Sequence, residues 1–238
     1  MEIYLVIIFI LIFNFLILFN FDRLSKISLF LDNPDGKLKK HRHPISLLGG
    51  LIILLNLYLI IFSFKLLNLD NLIFTGEFLY LVILLSSFFY IVGAVDDIKN
   101  LSPRLKLFFI TLSFLAVVFF FPDIKLELIK ITFLKKTYYF NNFSVIFLLF
   151  SFLLLSNAMN MFDGINLQLI FFSIFIFVVF IIKSFLPFFF LTLTISLLIL
   201  GVLNFKNKVF LGDGGCYLLS SIIGCTFIYQ YKYLDNYL

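Results

Sequence analysis

Charge and tryptophan are the two things that this sequence has least of. Only 13% of its 238 residues are Asp, Glu, Lys or Arg, and tryptophan is absent. Hydrophobic residues make up 63% of the chain, which is more than the core of a soluble domain requires. This composition excludes an ordinary soluble protein and predicts a polytopic membrane protein. Because tryptophan is missing, tyrosine is left to anchor the chain at the membrane interface.

Cysteine is also scarce, and its placement excludes two kinds of site. Cys216 and Cys225 lie in or beside the last apolar run, so neither a disulfide framework nor a thiolate metal site is indicated. The N-terminus lacks the basic stretch of a signal peptide, and we expect its apolar run to be a retained span. The net charge of +5 suits membrane topology, and we expect no nucleic-acid partner.

The apolar runs predict an all-α polytopic membrane protein, a single transmembrane domain over residues 1–238. A spanning helix needs about 20 apolar residues. About eight runs qualify, at residues 3–21, 45–64, 77–95, 105–121, 143–160, 168–183, 185–203 and 214–230. Residues 122–142 interleave lysines with Ile, Thr, Phe and Tyr, which predicts a small exposed hairpin outside the cytoplasm.

The basic residues predict which connections face the cytoplasm. The connections after spans 1, 3, 5 and 7 carry 11 Lys and Arg residues, against 7 on the other side. The positive-inside rule therefore places the first set in the cytoplasm and both termini outside. Every acid on that cytoplasmic side is an aspartate, and four of them directly adjoin apolar runs: Asp96, Asp97, Asp163 and Asp213. This placement would allow the four aspartates to form one shared site. A random distribution of acidic residues between the two membrane faces would also be compatible with it.

Asp96 and Asp97 end the third apolar run, and their adjacency is the first candidate site. Two neighbouring carboxylates are costly to ionise together unless cations share the charge. A divalent metal with a phosphorylated substrate would compensate them, whereas a solvated loop end is the simpler interpretation.

The other cytoplasmic connections add amides, glycines and cations. Lys39 and His41 belong to a basic cluster that suits either a phosphate or an anionic membrane surface, and Gly49-Gly50 permits close approach of backbone or ligand. Asn157, Asn160 and Asp163 recur every third residue, which predicts a shared helix face, for a ligand or for helix packing. Asp213 lies between glycines, where a helix cap and a metal ligand both remain open.

Together the four connections resemble the polyprenyl-phosphate N-acetylhexosamine-1-phosphate transferases, the MraY/WecA family. The first motif matches at Asp32, Pro34, His41, Pro44, Gly49 and Gly50. The second matches at Gly93, Asp96, Asp97, Leu101, Ser102 and Lys106. The third and fourth match at Asn157, Asn160, Asp163 and Gly164, and at Phe210, Gly212, Asp213 and Gly215.

The resemblance implies a reaction and a role for each matched residue. Polyprenyl phosphate, such as undecaprenyl phosphate, would attack a UDP-N-acetylhexosamine, releasing UMP and forming polyprenyl-diphospho-sugar for a cell-envelope polysaccharide. The implied cofactor is Mg²⁺, or Mn²⁺ in its place, with Asp213 as the metal ligand. The implied place is the cytoplasmic face of a bacterial inner membrane; a homodimer is left open.

Further roles follow from the same resemblance. Asp96 or Asp97 would orient or deprotonate the lipid phosphate, and Asp163 would support the same site. Lys39 and His41 would hold the acceptor phosphate, and Lys106 would contact a phosphate. The donor or metal shell would be contacted by Asn157 and Asn160, and the uracil by Asn166 and Phe210.

The chain also departs from the family pattern. Asn166 replaces a carboxylate at a uracil contact, and Cys216 replaces a serine. The family's later spans and its His-x-His-His loop have no counterpart before Leu238, so we expect either a fragment or a short relative. An inactive homologue or membrane scaffold is therefore the alternative function. A cation channel would require acidic residues within the spans, whereas in this chain they cluster at one membrane face. The sugar and the pathway stay open.

Overall fold

Eight α-helices account for most of the chain in the computed structural model, which describes residues 2–27, 31–32, 43–67, 69, 76–140, 143–183 and 186–233. They are α1 (Glu2–Ile27), α2 (Gly49–Leu66), α3 (Gly76–Lys99), α4 (Pro103–Phe120), α5 (Ser144–Phe162), α6 (Gln168–Ile182), α7 (Pro187–Phe205) and α8 (Gly212–Tyr233). Each predicted span coincides with one helix, and the prediction of an all-α polytopic membrane protein is confirmed.

Six of these helices, α1 to α5 and α7, are long and apolar enough to cross a membrane. Helices α6 and α8 do not meet these criteria of length and hydropathy, for separate reasons. Helix α6 is strongly apolar but has only 15 residues, fewer than the roughly 20 that a span perpendicular to the bilayer needs. Helix α8 is 22 residues long but begins with Gly-Asp-Gly-Gly and contains several small polar residues.

Helix α8 is the centre of the bundle. Every residue from Gly214 to Thr226 is buried, and the helix packs most extensively against α3. Its small polar side chains suit this position: Ser221 meets Ser86 of α3 at 3.0 Å, and Thr226 donates to the carbonyl of Ile222 at 2.7 Å. Small residues allow helices to approach closely in a membrane, where burial of apolar surface gives little drive for packing. The lower hydropathy of α8 therefore reflects contact with protein rather than lipid.

A buried polar cluster joins three other helices. The side-chain amides of Asn14 in α1 and Asn56 in α2 donate to each other's oxygens, at 2.6 and 3.1 Å. Ser196 of α7 donates to Asn56 at 2.9 Å. All three residues are buried, so these bonds satisfy groups that would otherwise be costly in the bilayer. The cluster fixes the relative register of α1, α2 and α7.

Two short antiparallel pairs complete the fold. Strand β1 (Leu31–Asp32) pairs with β2 (Ile45–Ser46), and β3 (Leu128–Ile131) pairs with β4 (Lys136–Tyr139). The second pair lies between α4 and α5, so the hairpin predicted within residues 122–142 is present. Because successive helices run in alternating directions, this hairpin lies at one end of the bundle. The α3–α4 connection and the start of α8 lie at the other end.

Candidate active site

Close backbone packing builds the end of the bundle where α8 begins. The N–H groups of Gly49 and Gly50 in α2 donate to the carbonyls of Phe210 and Leu211, at 3.1 and 3.0 Å. A Cβ atom on Gly50 would lie 2.5 Å from the nitrogen of Gly215. These glycines are therefore required for contact between α2 and the start of α8, and the close approach predicted for them is made by backbone.

A third helix approaches the same segment. A Cβ atom on Gly93 of α3 would lie 2.5 Å from the carbonyl carbon of Asp213. Gly212 itself has φ +70°, a conformation that residues with side chains rarely adopt, and it turns the chain into α8. The position of Asp213 is thus set by α2, α3 and the turn at Gly212.

A cavity of about 590 Å³ opens at this end, and polar side chains dominate its wall. The four aspartates singled out in the sequence, at 96, 97, 163 and 213, all line it, although up to 117 residues separate them. The other polar lining residues are Asp32, Asn100, Lys106, Asn160, Asn166 and Asn204. Four connections, α1–α2, α3–α4, α5–α6 and α7–α8, therefore contribute to one cavity together with the adjoining helix ends.

Asp97 is bound to the first turn of α8. Its carboxylate oxygens accept hydrogen bonds from the backbone N–H groups of Asp213 at 2.9 Å and Gly214 at 3.2 Å. These N–H groups have no partner within the helix, so Asp97 supplies the cap that a preceding side chain usually provides. The sequence left open that Asp213 caps the helix. The structure gives that role to Asp97 and leaves the Asp213 side chain in the cavity wall.

Asp96 is bound to the start of α4. It is only 2% exposed, and its Oδ1 accepts the backbone N–H of Leu101 at 2.8 Å. Its Oδ2 forms an ion pair with Lys106, whose ammonium group also lies 3.3 Å from Asp213 Oδ2. Lys106 therefore bridges two carboxylates, one buried and one facing the cavity.

Asp163 and Asp213 have the most strongly raised pKa values of the cavity aspartates, although Lys106 lies beside Asp213. Burial raises the pKa of Asp163 to about 7, and the charge of Asp97 acts in the same direction, against a hydrogen bond from the Cys216 thiol. Burial also raises the pKa of Asp213, reinforced by its contact with the Asp96 carboxyl group and by the charge of Asp97. Near neutral pH, these two groups thus favour a cation or a proton.

The amides and the aromatic ring predicted to contact the donor lie around the same cavity. Asn160 donates to the Tyr217 hydroxyl at 3.4 Å, and Asn166 donates to the Asn204 carbonyl at 3.3 Å. Phe210 lines the wall, and its backbone N–H donates to Ser46 at 2.8 Å. A polar rim and an aromatic face are thus available beside the carboxylates.

Asn157 is the exception among the predicted residues that the structure describes. It is exposed and does not line the cavity, unlike Asn160 and Asp163. Each step of three residues turns about 60° backward around a helix, so Asn157 and Asp163 are separated by about 120°. The predicted shared face therefore extends only from Asn160 to Asp163. Lys39 and His41 lie outside the described residues.

Sequence reasoning assigned no role to Asn204 or Cys216, although both line the cavity. Asn204 is 4% exposed; it accepts the backbone N–H of Leu167 at 2.7 Å and donates to the Val209 carbonyl at 2.8 Å, which joins two cavity-lining loops. Cys216 contacts Asp163 from the first turns of α8. An asparagine at the end of an apolar run was a signal for the first, whereas Cys216 gave none.

The side chains that the structure describes do not form a metal site by themselves. Within the described ranges, no three His, Cys, Asp or Glu side chains are grouped closely enough to hold a metal ion. Mg²⁺ is often held by one or two carboxylates together with substrate phosphates and water. The donor set therefore suits a metal that arrives with, or is completed by, a phosphorylated ligand.

Comparison with known proteins gives a family for this architecture. No curated protein matches the chain. The family described as glycosyl transferase family 4 matches residues 79–231, which is more than half of the chain and contains four of the five aspartates that line the cavity. With several membrane-spanning helices and a polar cavity at their ends, the chain belongs to glycosyl transferase family 4, a family of membrane-embedded transferases.

Proposed function

We propose that the chain transfers N-acetylhexosamine-1-phosphate from a UDP-sugar to polyprenyl phosphate. The observation that carries this proposal is the meeting of five aspartates, one lysine and four asparagines in one cavity at the helix ends. Its volume of about 590 Å³ lies within the range of about 300–1,000 Å³ that is usual for ligand sites. A polar site between lipid-facing helices suits a reaction between a membrane-bound and a water-soluble substrate.

The proposed step is a phosphoryl transfer. A phosphate oxygen of the polyprenyl phosphate bonds to the sugar-linked phosphorus of the donor. The bond from that phosphorus to the bridging diphosphate oxygen breaks, and UMP leaves with the electron pair. Because the attacking phosphate is already ionised near neutral pH, catalysis depends on positioning and charge stabilisation more than on a base.

The contacts divide the aspartates into two pairs. Asp96 and Asp97 accept bonds from Lys106, Leu101 and the first turn of α8, so they position other groups of the site. Neither is proposed as a proton acceptor. Asp213 and Asp163 face the cavity, and we assign them to the charged part of the donor. Lys106 is placed to contact a phosphate while its single positive charge is shared between Asp96 and Asp213.

Asp213 and Asp163 are also the residues that would hold a divalent cation, Mg²⁺ or Mn²⁺. Their raised pKa values and the neighbouring negative charges favour a bound cation, and the incomplete ligand set leaves room for phosphate oxygens. Such an ion would polarise the diphosphate and neutralise charge on the departing UMP.

The remaining contacts follow the chemistry of the donor and acceptor. Asn160 and Asn166 offer amide groups to the donor, and Phe210 offers a ring for the uracil. Lys39 and His41 are proposed to hold the acceptor phosphate, as the resemblance implies. By the count of basic residues, the cavity opens on the cytoplasmic face of the membrane. The resemblance implies that this is a bacterial inner membrane.

Transfer of labelled sugar phosphate to polyprenyl phosphate in membranes tests the proposal. We expect Asp213→Asn to lower the rate by about 10²–10³-fold, the usual cost of removing a group that stabilises transition-state charge. The matched control is Asp123→Asn, which changes an acid at the opposite end of the bundle and should leave the rate unchanged. Equal rates for wild type and Asp213→Asn would contradict the proposal. A wild-type chain that binds UDP-sugar without turnover would also contradict it, and would identify an inactive homologue.

A further inference from the structure

The β3–β4 hairpin presents an apolar and basic surface that the transfer reaction does not use. We define the hairpin surface as Ile131, Phe133, Leu134 and Tyr138 with Lys135 and Lys136. Phe133, at the tip, is 94% exposed, and every residue of β4 is exposed. From Leu128 to Tyr139 there are three lysines and no acidic residue. Exposed apolar and aromatic side chains in one patch normally indicate an interaction surface.

The strand register shows which way this surface is turned. Ile129 pairs with Tyr138 and Ile131 with Lys136, so these four residues share one face of the hairpin. Ile129 lines an apolar groove of about 300 Å³ together with residues of α5 and α8. The face that carries Ile131 and Tyr138 is therefore directed toward the apolar flank of the bundle.

The opposite face has a different environment. Leu128 and Tyr139, which are also paired, line a separate cavity with Asp123, Lys125 and Glu127. Each face of the hairpin carries one strand lysine, Lys136 on the first and Lys130 on the second. Acidic side chains line the cavity beside the second face, whereas no acidic residue among those described lines the groove beside the first. This asymmetry is expected where one face meets water and the other meets lipid.

The hairpin surface is continuous with the lipid-facing side of α5. The rings of Phe140, at the end of the hairpin, and Phe147, in α5, stack with centroids 4.5 Å apart. Phe143, which directly precedes α5, and Phe150 and Leu154 within it are also exposed. At the other strand, the backbone N–H of Lys130 donates to the Tyr231 hydroxyl at 2.6 Å, which holds the hairpin against the end of α8.

We propose that the hairpin surface lies in the headgroup–acyl boundary of the leaflet opposite the cavity, with phospholipid as its partner. Ile131, Phe133, Leu134 and Tyr138 enter the boundary, and Lys135 and Lys136 meet the lipid phosphates. Interfacial segments with apolar and basic groups lie about 5–10 Å into this region. The hairpin thereby fixes the depth of α4, α5 and α8 in the bilayer, independently of the reaction at the other end.

Single-tryptophan fluorescence tests this placement directly, because the chain has no tryptophan of its own. Phe133→Trp and Tyr138→Trp are made in the full chain and reconstituted in phosphatidylglycerol–phosphatidylethanolamine vesicles. Thr137→Trp is the matched control on the water-facing side of the same strand. Phe150→Trp reports full exposure to lipid.

We expect tryptophan at 133 and 138 to show blue-shifted emission, loss of intensity in lipids brominated near the headgroup, and protection from aqueous acrylamide. Tryptophan at 137 should show the reverse pattern. The proposal would be overturned if acrylamide quenched tryptophan at 133 and 138 as strongly as at 137, and if brominated lipid left their fluorescence unchanged. That result would leave the surface open to a protein partner.

Discussion

The two ends of the helical bundle differ in the side chains that they present and in whether other protein groups bind those side chains. At the cavity end, carboxylates dominate. Lys106 forms an ion pair with Asp96, and the carboxylate of Asp97 caps the first turn of α8. At the hairpin end, aromatic side chains and lysines extend outward, and Phe133 is almost completely exposed. At the cavity end, the helices pack in close backbone contact at glycines. At the hairpin end, β4 is exposed over its whole length. We conclude that the cavity end is built for chemistry and the hairpin end for contact with the bilayer.

Among changes to packing, helix capping, pH and the hairpin, the largest effect is expected from a methyl group at the cavity end. Gly93→Ala places a Cβ atom against the backbone of Asp213, so α3 and α8 must separate. A displacement of about 1 Å at a reacting group costs about 10²-fold in rate, and we expect a loss of that size in sugar-phosphate transfer.

Gly201→Ala is the matched control for this change. Its Cβ atom would meet only side chains, at 3.5 Å from Leu167 and 3.6 Å from Ile170, which is ordinary contact. Its transfer rate should equal that of wild type. If Gly93→Ala were equally active, close packing against α8 would not set the geometry of the cavity.

A smaller loss is expected when the cap on α8 is removed. Asp97→Ala leaves the N–H groups of Asp213 and Gly214 without their acceptor, and cap removal typically costs about 0.5–2 kcal/mol of stability. Asp97→Asn keeps one oxygen acceptor and should retain more stability. Thermal unfolding in detergent measures both variants. A reversed order, with Asn less stable than Ala, would argue against the capping role.

The pH dependence of stability is expected to be smaller again. An unfolded aspartate loses its proton near pH 3.9, whereas burial raises the pKa of Asp163 to about 7. Between these values the folded state binds more protons than the unfolded state, so stability falls as the pH rises. In the presence of EDTA, the unfolding temperature should therefore be higher at about pH 5 than at about pH 8.

Asp163→Asn should reduce this pH dependence, and Asp123→Asn should leave it as in wild type. Thermal unfolding at both pH values measures each variant. A pH dependence that is unchanged in Asp163→Asn would mean that burial does not hold the proton on this carboxyl group.

The smallest effect on transfer is expected at the hairpin. Lys135→Gln combined with Lys136→Gln removes two charges from an exposed strand far from the cavity, and the rate in membranes should stay that of wild type. Lys106→Gln, the comparison at the cavity end, should lower the rate strongly, since Lys106 bridges Asp96 and Asp213. Similar losses of transfer rate in the two variants would contradict the conclusion that the hairpin end acts independently of the reaction at the cavity end.

Most of the fold was predictable because it depends on local sequence patterns. Apolar runs of sufficient length identified the eight helices, and alternating lysines and aromatics identified the hairpin. The meeting of Asp96, Asp97, Asp163 and Asp213 was predictable because alternating helix directions bring every second connection to the same end. The residue patterns were enough for these features.

The details of the site depend on contacts between distant residues. No local pattern indicates that Asp97 caps a helix that begins 115 positions later, or that Cys216 contacts Asp163. Asn157 was placed on the cavity face from its spacing, but a repeat of three drifts around the helix, and the side chain is exposed. The closest glycine contacts also required the structure, since glycine is common in membrane helices for several reasons.

Photolabelling is the most direct test of the central claim that the donor binds at the cavity end. The purified chain in nanodiscs is irradiated with a UDP-sugar that carries an azide on the uracil, and labelled peptides are identified by mass spectrometry. The account predicts label on the segments 160–167 and 204–213, lost in competition with unmodified UDP-sugar. Competed label confined to residues 121–140, at the hairpin end, would contradict it.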